Sequence, residues 1–122
     1  MYDIQGELDG RLIVVRCAGF WDDAELAAYC SALLRSGRAA GGAFDMLIDM
    51  RNFPAQKAAG GPEIETMVGH LVRMGMRHVA ILAPSAVQRM QVNRITAGNH
   101  VFFEEEAEAR AWLRRMRIVN RA

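Results

Sequence analysis

Residues 45–53, Asp-Met-Leu-Ile-Asp-Met-Arg-Asn-Phe, decide the fold of this 122-residue chain. The part from Asp45 to Met50 predicts a buried strand, because its centre is continuously apolar. Amphipathic patterns with the helical period lie before and after it. A strand between two helices is typical of β-α-β units, whose strands pair in parallel. We therefore expect an α/β protein.

Upstream of this strand, the sequence predicts a hairpin and a helix. Strands are expected over Ile4–Leu8 and Arg11–Cys17, joined at Asp9-Gly10, a pair that favours positive φ in tight turns. Asp22 is a suitable N-cap, with Glu25 three residues on as its capping-box partner. The helix is expected to stop at Gly37. Its apolar stripe comprises Leu26, Tyr29, Cys30, Leu33 and Leu34.

Downstream, three further helices alternate with two strands. A loop over Arg51–Pro62 precedes a helix that Pro62 opens and Gly75 ends. Strands follow over His78–Ala83 and His100–Phe103. Between them lies a helix with Ser85 as N-cap, Gly98 as its stop and a stripe of Val87, Met90 and Ile95. The last helix buries Ala109, Trp112, Leu113 and Met116.

This order predicts one domain over residues 1–122, with a mostly parallel five-stranded sheet. The N-terminal hairpin strand is expected to be antiparallel, and four main helices cover the sheet. No linker or low-complexity tract suggests a second domain.

Composition and charge exclude several classes of protein. The net charge is +1 and 24% of the residues are charged, which does not suit a nucleic-acid binder. The longest aliphatic run, Leu12 to Val15, is far too short to span a membrane. The N-terminus has neither the basic region nor the apolar region of a signal peptide. Cys17 and Cys30 do not form a disulfide framework. We expect a cytoplasmic protein.

A binding site is expected at the carboxyl ends of the strands, where open α/β sheets bind ligands. Asp49 and Arg51 are the most suggestive pair there. Arg51 could offer its planar guanidinium to a carboxylate or phosphate, or it could anchor the long loop through Asp49. The full candidate set for ligand or partner binding is Asp49, Arg51, Asn52, Phe53, Phe20 and Trp21.

Catalytic and cofactor chemistry finds little support in the sequence. No serine lies in a nucleophile elbow, and no glycine-rich loop with the ending of a phosphate site precedes a helix. The histidines, His70, His78 and His100, have no metal-ligand spacing. We expect no catalytic residues, no metal and no cofactor.

With these landmarks in place, the chain resembles the SpoIIAA-like branch of the STAS superfamily, often described together with CRAL-TRIO domains. The resemblance rests on residues 19–22, 47–53 and 79–82 and on the ending 101–113, a Val-Phe-Phe strand followed by a helix with Ala-x-x-Trp-Leu. It implies a βα superhelix with strands in roughly sequential order and helices mainly on one face. It also implies a non-catalytic regulatory domain.

Founding members of that family antagonise anti-sigma factors and are switched by phosphorylation of a serine. That serine lies at the start of the helix after the strand equivalent to Asp45–Met50. Here Arg51–Pro62 contains neither Ser nor Thr, so the resemblance does not extend to this switch.

The function expected from these observations is that of a non-catalytic STAS-like domain that binds a partner protein or small ligand. The alternative is a carrier or sensor of an apolar or anionic ligand, lipid-like or nucleotide, at the carboxyl ends of the strands. A homodimer is also compatible with the sequence. Nucleic-acid binding is not expected.

Overall fold

The computed structural model describes residues 1–54, 56, 61–95 and 100–119. The strands are β1 (Tyr2–Glu7), β2 (Leu12–Ala18), β3 (Phe44–Asn52), β4 (Met76–Leu82) and β5 (His100–Phe103). The helices are α1 (Asp23–Ala40), α2 (Gly61–Met74), α3 (Ala86–Ile95) and α4 (Glu106–Val119). The elements follow one another along the chain as the sequence predicts.

The five strands form one sheet in the order β1-β2-β3-β4-β5. β1 is antiparallel to β2, and the remaining pairs are parallel. The predicted fold class, sequential strand order and antiparallel hairpin strand are therefore confirmed. Parallel pairing brings the carboxyl ends of β2 to β5 to one edge, called here the carboxyl edge.

The core has two layers because strand side chains alternate between the faces of the sheet. On the first face, α1 and α2 cover Ile13, Val15 and Met46, and Val92 of α3 packs against the same cluster. On the second face, Leu47 and its neighbours pack against α4. Ala109 and Leu113 are buried there as predicted, and Trp112 packs against them while partly exposed.

The hairpin turn differs from the prediction. Leu8 is not in the strand but in the turn, where Leu8, Asp9 and Gly10 all have positive φ of 55°, 58° and 84°. The amide of Gly10 donates to the carbonyl oxygen of Glu7 at 3.1 Å, so Leu8 and Asp9 are the central turn residues. The left-handed conformation is unfavourable for Leu because its Cβ crowds the backbone.

The prediction that Gly37 ends α1 is wrong. The helix continues to Ala40 and is capped by Gly41 at φ 68°, whereas Asp22 is the N-cap as predicted. Gly37 is buried where α1 meets α2, and a Cβ there would lie 3.0 Å from Leu71 Cδ2 and 3.1 Å from Met74 Sδ. This glycine therefore permits close helix packing instead of a stop.

The apolar stripe predicted for α3 is also wrong. Val87 and Met90 are more than half exposed, and the buried residue of this helix is Gln88. The reason is a polar contact: Gln88 donates to the backbone carbonyls of Met50, near the end of β3, and of Phe53, just after it. The predicted stop at Gly98 lies outside the described residues.

Candidate functional site

The carboxyl edge carries all six candidate residues, but the sheet divides them between its faces. Asp49 and Arg51 alternate with Met50, so their side chains lie on the α4 face. Trp21 and Phe53 pack against the core on the α1 face. Arg51 and Asn52 were expected in a loop, but they are the last residues of β3, and Asn52 pairs with Ala18 of β2. Phe20 lies outside both layers.

Asp49 is a buried acceptor for two arginines. Its Oδ1 accepts from the backbone amide and Nε of Arg51, both at 3.0 Å. Its Oδ2 accepts from Arg51 Nη2 at 2.9 Å and from Arg16 Nη1 at 2.8 Å. These bonds, those from Arg51 above all, lower the pKa of Asp49 to about 2. Asp49 therefore remains ionised and holds Arg51 at the strand end.

Glu106, in the first turn of α4, extends this arrangement. It accepts from Arg16 at 2.9 and 3.2 Å, from Arg110 at 2.9 Å and from Arg51 at 3.3 Å. Hydrogen bonds from Arg16 and Arg110 lower the pKa of Glu106 to about 2. Arg110 also forms a two-pronged ion pair with Glu7 of β1 at 3.1 and 3.2 Å.

These residues form a charge network of three arginines and three carboxylates that joins β1, β2, β3 and α4: Glu7, Arg16, Asp49, Arg51, Glu106 and Arg110. The sequence prediction found two of its members and missed the other four. For the four missed residues, the one local sequence signal was the acidic first turn of α4. That signal indicates a favourable interaction with the helix dipole, and it does not indicate which arginines the carboxylates contact. The network is electrically balanced, because three guanidinium groups face three carboxylates.

The α1 face of the same edge is aromatic. Trp21 contacts Phe53 and Tyr29, each with ring centroids 4.8 Å apart, and Tyr2 at 5.9 Å. The indole N–H of Trp21 donates to the carbonyl of Ala18 at 3.0 Å. The backbone amide of Trp21 donates to Gln56 Oε1, also at 3.0 Å. The rings are thereby fixed against one another.

Phe20 stands between two restrained neighbours and is itself 77% exposed. Before it, Gly19 has a φ of 76°, and its amide donates to the carbonyl of Asn52 at 3.1 Å. After it, Trp21 is held as described. Gln56 also donates to the carbonyl of Gly19 at 3.1 Å. The backbone on both sides of Phe20 is therefore anchored, while its ring projects into solvent.

Gln88 is a further residue that the sequence prediction missed. Its side-chain amide donates to the carbonyl of Met50 at 3.0 Å and to that of Phe53. Its Oε1 accepts from the Ser85 amide, and Ser85 Oγ accepts from the Gln88 amide. This reciprocal pair is a capping box, and the Ser-x-x-Gln spacing was a signal for it. Gln88 thus fixes the end of β3 and the residue after it, Phe53, to the start of α3.

The two thiols offer no activated nucleophile. Burial raises the pKa of Cys17 to about 12, and it also raises the pKa of Cys30. Among the residues that the structure describes, no group of three or more His, Cys, Asp or Glu side chains is placed to hold a metal ion. Within the same ranges, no helix is both long and apolar enough to cross a membrane.

Comparisons with known proteins agree with this architecture. One solved structure with the same fold is that of the anti-sigma factor antagonist SpoIIAA in its unphosphorylated form, with a TM-score of 0.67. The sequences are 13% identical over 93% of this chain and 96% of that one. No curated protein matches the sequence. The model of the SpoIIAA-like family matches residues 12–114. The chain therefore belongs to the SpoIIAA-like family.

Proposed function

We propose that this chain is a cytoplasmic, non-catalytic regulatory domain that binds a partner protein through the carboxyl edge of its sheet. Phe20 is the anchor of the interface. Trp21 and Phe53 are the base that holds it, and Asn52 and Arg51 form its polar rim. Asp49 orients Arg51 and does not itself contact the partner.

The observation that carries this proposal is the exposure of Phe20 on a restrained backbone. An exposed phenylalanine costs solvation free energy in the free domain, and that cost is recovered when a partner buries the ring. Aromatic anchors of this kind supply much of the free energy of binding at protein interfaces. Because Gly19 and Trp21 are already held by hydrogen bonds, little conformational entropy is lost on binding.

Arg51 suits a rim position better than an anion pocket. Its Nε and Nη2 already donate to Asp49, so an incoming anion would have to compete with a buried carboxylate. Its side chain is nevertheless 42% exposed, which leaves one edge of the guanidinium accessible. A rim arginine of this kind adjusts specificity and association rate more than affinity.

The partner class that we propose is an anti-sigma factor, because the solved structure with the same fold is that of an anti-sigma factor antagonist. The family membership supports the same class. We do not extend the proposal to a phosphorylation switch at the usual position, since residues 51–62 contain no hydroxyl side chain.

The carrier function is a weaker candidate. A carrier of a small ligand needs a pocket that encloses most of the ligand surface. A groove of about 480 Å³ lies between β1 and α1, and it is lined by none of the six residues expected to form the site. That groove therefore does not support ligand binding at the carboxyl edge.

The proposal can be tested with the anti-sigma factors encoded in the same genome. A photo-crosslinking amino acid is placed at position 20 and, as a control, at position 72 on α2. Val72 is apolar and 55% exposed, and it lies in the last turn of α2, just before β4 and therefore at the opposite edge of the sheet. We expect a partner that crosslinks at position 20 and not at position 72.

The partner found in this way is then titrated against Phe20→Ala and Arg51→Ala. Phe20→Ala should weaken binding by at least tenfold, a loss typical of an interface anchor. Its melting temperature should not change, because the ring contributes little to the folded core. Arg51→Ala should weaken binding by less. Unchanged affinity of Phe20→Ala would contradict the proposal, as would equal crosslinking at both positions.

A further inference from the structure

We propose that the free edge of β1 pairs with β1 of a second copy of this chain, so that two sheets join into one continuous sheet. This surface is the outer side of β1, whereas Phe20 follows β2, and the proposal goes beyond the function proposed above. It rests on the backbone of β1, on the groove beside it and on the order of side chains along the strand.

The hydrogen-bond pattern of the hairpin shows which backbone groups of β1 face outward. Met1 and Ala18 exchange both of their main-chain hydrogen bonds, at 2.9 and 2.8 Å. Hydrogen-bonded pairs recur at every second residue of an antiparallel ladder. The backbone amide and carbonyl of Asp3, whose partner is Arg16, therefore also point towards β2. The amides and carbonyls of the intervening residues point away from the sheet. These residues are Tyr2, Ile4 and Gly6.

Little in β1 discourages a second strand from pairing there. The strand has six residues, contains no proline, and shows no register shift against β2. Proteins usually protect such edges with prolines, bulges or lysines. Beside this edge lies the groove of about 480 Å³, lined by Tyr2, Asp3 and Ile4 of β1 and by Ala32, Arg35, Ser36 and Ala39 of α1. The residues from α1 are mostly small, which leaves room for a side chain from an added strand.

The occupant is a second copy because β1 is complementary to itself. An antiparallel pair centred on Ile4 places Ile4 opposite Ile4 of the second copy, so two apolar side chains meet beside the groove. The same register places Tyr2 opposite Gly6, and an aromatic ring across from an edge glycine is a stabilising combination. Asp3 then faces Gln5, so no two carboxylates are directly opposed.

This register forms roughly six main-chain hydrogen bonds between the copies, because Tyr2, Ile4 and Gly6 each present a donor and an acceptor. The network around Glu106 is not disturbed, because Glu7 pairs with Arg110 on the α4 face of the sheet, whereas the second strand is added at the outer edge of β1. The interface is isologous, with the same residues on both sides, as in most homodimers.

The test uses Gly6→Pro, with Gly6→Ala as the matched control. Proline removes an outward amide without breaking a bond to β2, because the Gly6 amide faces away from the sheet. Alanine keeps the amide, and its Cβ would lie at an ordinary 3.7 Å from the Gly10 Cα. Sedimentation velocity from about 1 µM to 1 mM measures self-association, and thermal melts verify folding.

We expect a concentration-dependent dimer for the unaltered chain and for Gly6→Ala. Gly6→Pro should dimerise roughly 10- to 100-fold more weakly, because two hydrogen bonds are lost across the symmetric interface. In the unaltered chain, hydrogen exchange at Tyr2, Ile4 and Gly6 should slow as concentration rises. If the melting temperature of Gly6→Pro is lowered, the hydrogen-exchange measurement on the unaltered chain is the test of the dimer.

Three outcomes would overturn the proposal: a monomer at 1 mM, a dimer that Gly6→Pro does not weaken, or exchange at these amides that is independent of concentration. If an unrelated extended peptide slows their exchange while the chain itself stays monomeric, the edge binds a partner strand instead. Partner binding at Phe20 can be measured separately with Gly6→Pro, because Gly6 pairs with Ile13 at the far end of the hairpin.

Discussion

Glu106, in the first turn of α4, binds the guanidinium of Arg16 on β2 with both of its carboxylate oxygens, at 2.9 and 3.2 Å. The two residues are separated by 90 positions in the chain. The same carboxylate also accepts from Arg51 and Arg110. This single side chain therefore connects the last helix to both β2 and β3.

Replacing Glu106 with glutamine should destabilise the fold. The change leaves three arginines facing two carboxylates, and the hydrogen bonds to position 106 no longer join two opposite charges. We expect the free energy of unfolding to fall by about 1–3 kcal/mol, measured by urea denaturation. Glu108→Gln on the same helix is the control, because Glu108 is exposed and should change stability by less than about 0.5 kcal/mol. Equal effects of both substitutions would contradict the role given to the network.

Stability should fall as the pH decreases through the acid range. The pKa values of Asp49 and Glu106 are lowered to about 2 in the folded chain, by hydrogen bonds from Arg51 and from Arg16 respectively. In the unfolded chain these groups titrate at about 4, so the unfolded state binds more protons between about pH 5 and pH 2. Their contribution is therefore complete above about pH 5 and is lost as the pH approaches 2.

Urea denaturation at a series of pH values measures this loss. In the doubly substituted chain, Asp49→Asn with Glu106→Gln, the slope of the unfolding free energy between pH 5 and pH 2 should be much smaller. An unchanged slope would assign the acid sensitivity to other carboxylates.

Leu8→Asn should stabilise the hairpin. Leu8 has a φ of 55°, which costs a leucine about 1 kcal/mol and is tolerated by asparagine. Little packing is lost, because Leu8 is 47% exposed. We expect a gain of up to about 1 kcal/mol, or a few degrees in melting temperature. Leu8→Ala keeps a Cβ without the polar side chain, so it should give no such gain. A similar gain from alanine would show that the backbone conformation is not the cause.

Two helical glycines should respond in opposite ways to alanine. Gly37→Ala places a Cβ 3.0 Å from Leu71 and 3.1 Å from Met74 between α1 and α2, and it should destabilise by about 1 kcal/mol. Gly69→Ala in α2 meets only the flexible end of Arg73 at 3.7 Å, and it should stabilise by about 0.5–1 kcal/mol through helix propensity. Thermal and chemical denaturation measure both. Stabilisation by both substitutions would show that Leu71 and Met74 move aside for the added Cβ at little cost in free energy.

Part of the candidate site could be predicted from the sequence, and the physical basis of the prediction differs between the two faces of the sheet. Trp21 and Phe53 meet because each follows a strand, and parallel strands end at the same edge. Asp49 and Arg51 meet because they are two residues apart on one strand face. Both contacts follow from local pattern and topology. The position of Gln88 could also have been inferred, from its capping-box spacing with Ser85.

The order of the elements and the parallel sheet with one antiparallel strand follow from the amino-acid sequence alone. These features depend on periodic apolar positions and on turn residues, which act over short distances in the chain. The sequence pattern misassigned Gly37, Leu8 and the exposed side chains of α3, because each depends on what packs against it.

Which charges meet depends on how the elements pack in three dimensions. Glu7 and Arg110 are 103 positions apart, and their ion pair exists because β1 lies beside β2 while α4 crosses back over the sheet. The same topology leaves the outer side of β1 without a strand in the described sheet, and it leaves Phe20 in solvent at the carboxyl edge. Long-range contacts of this kind are set by the relative placement of whole elements, which no local periodicity encodes.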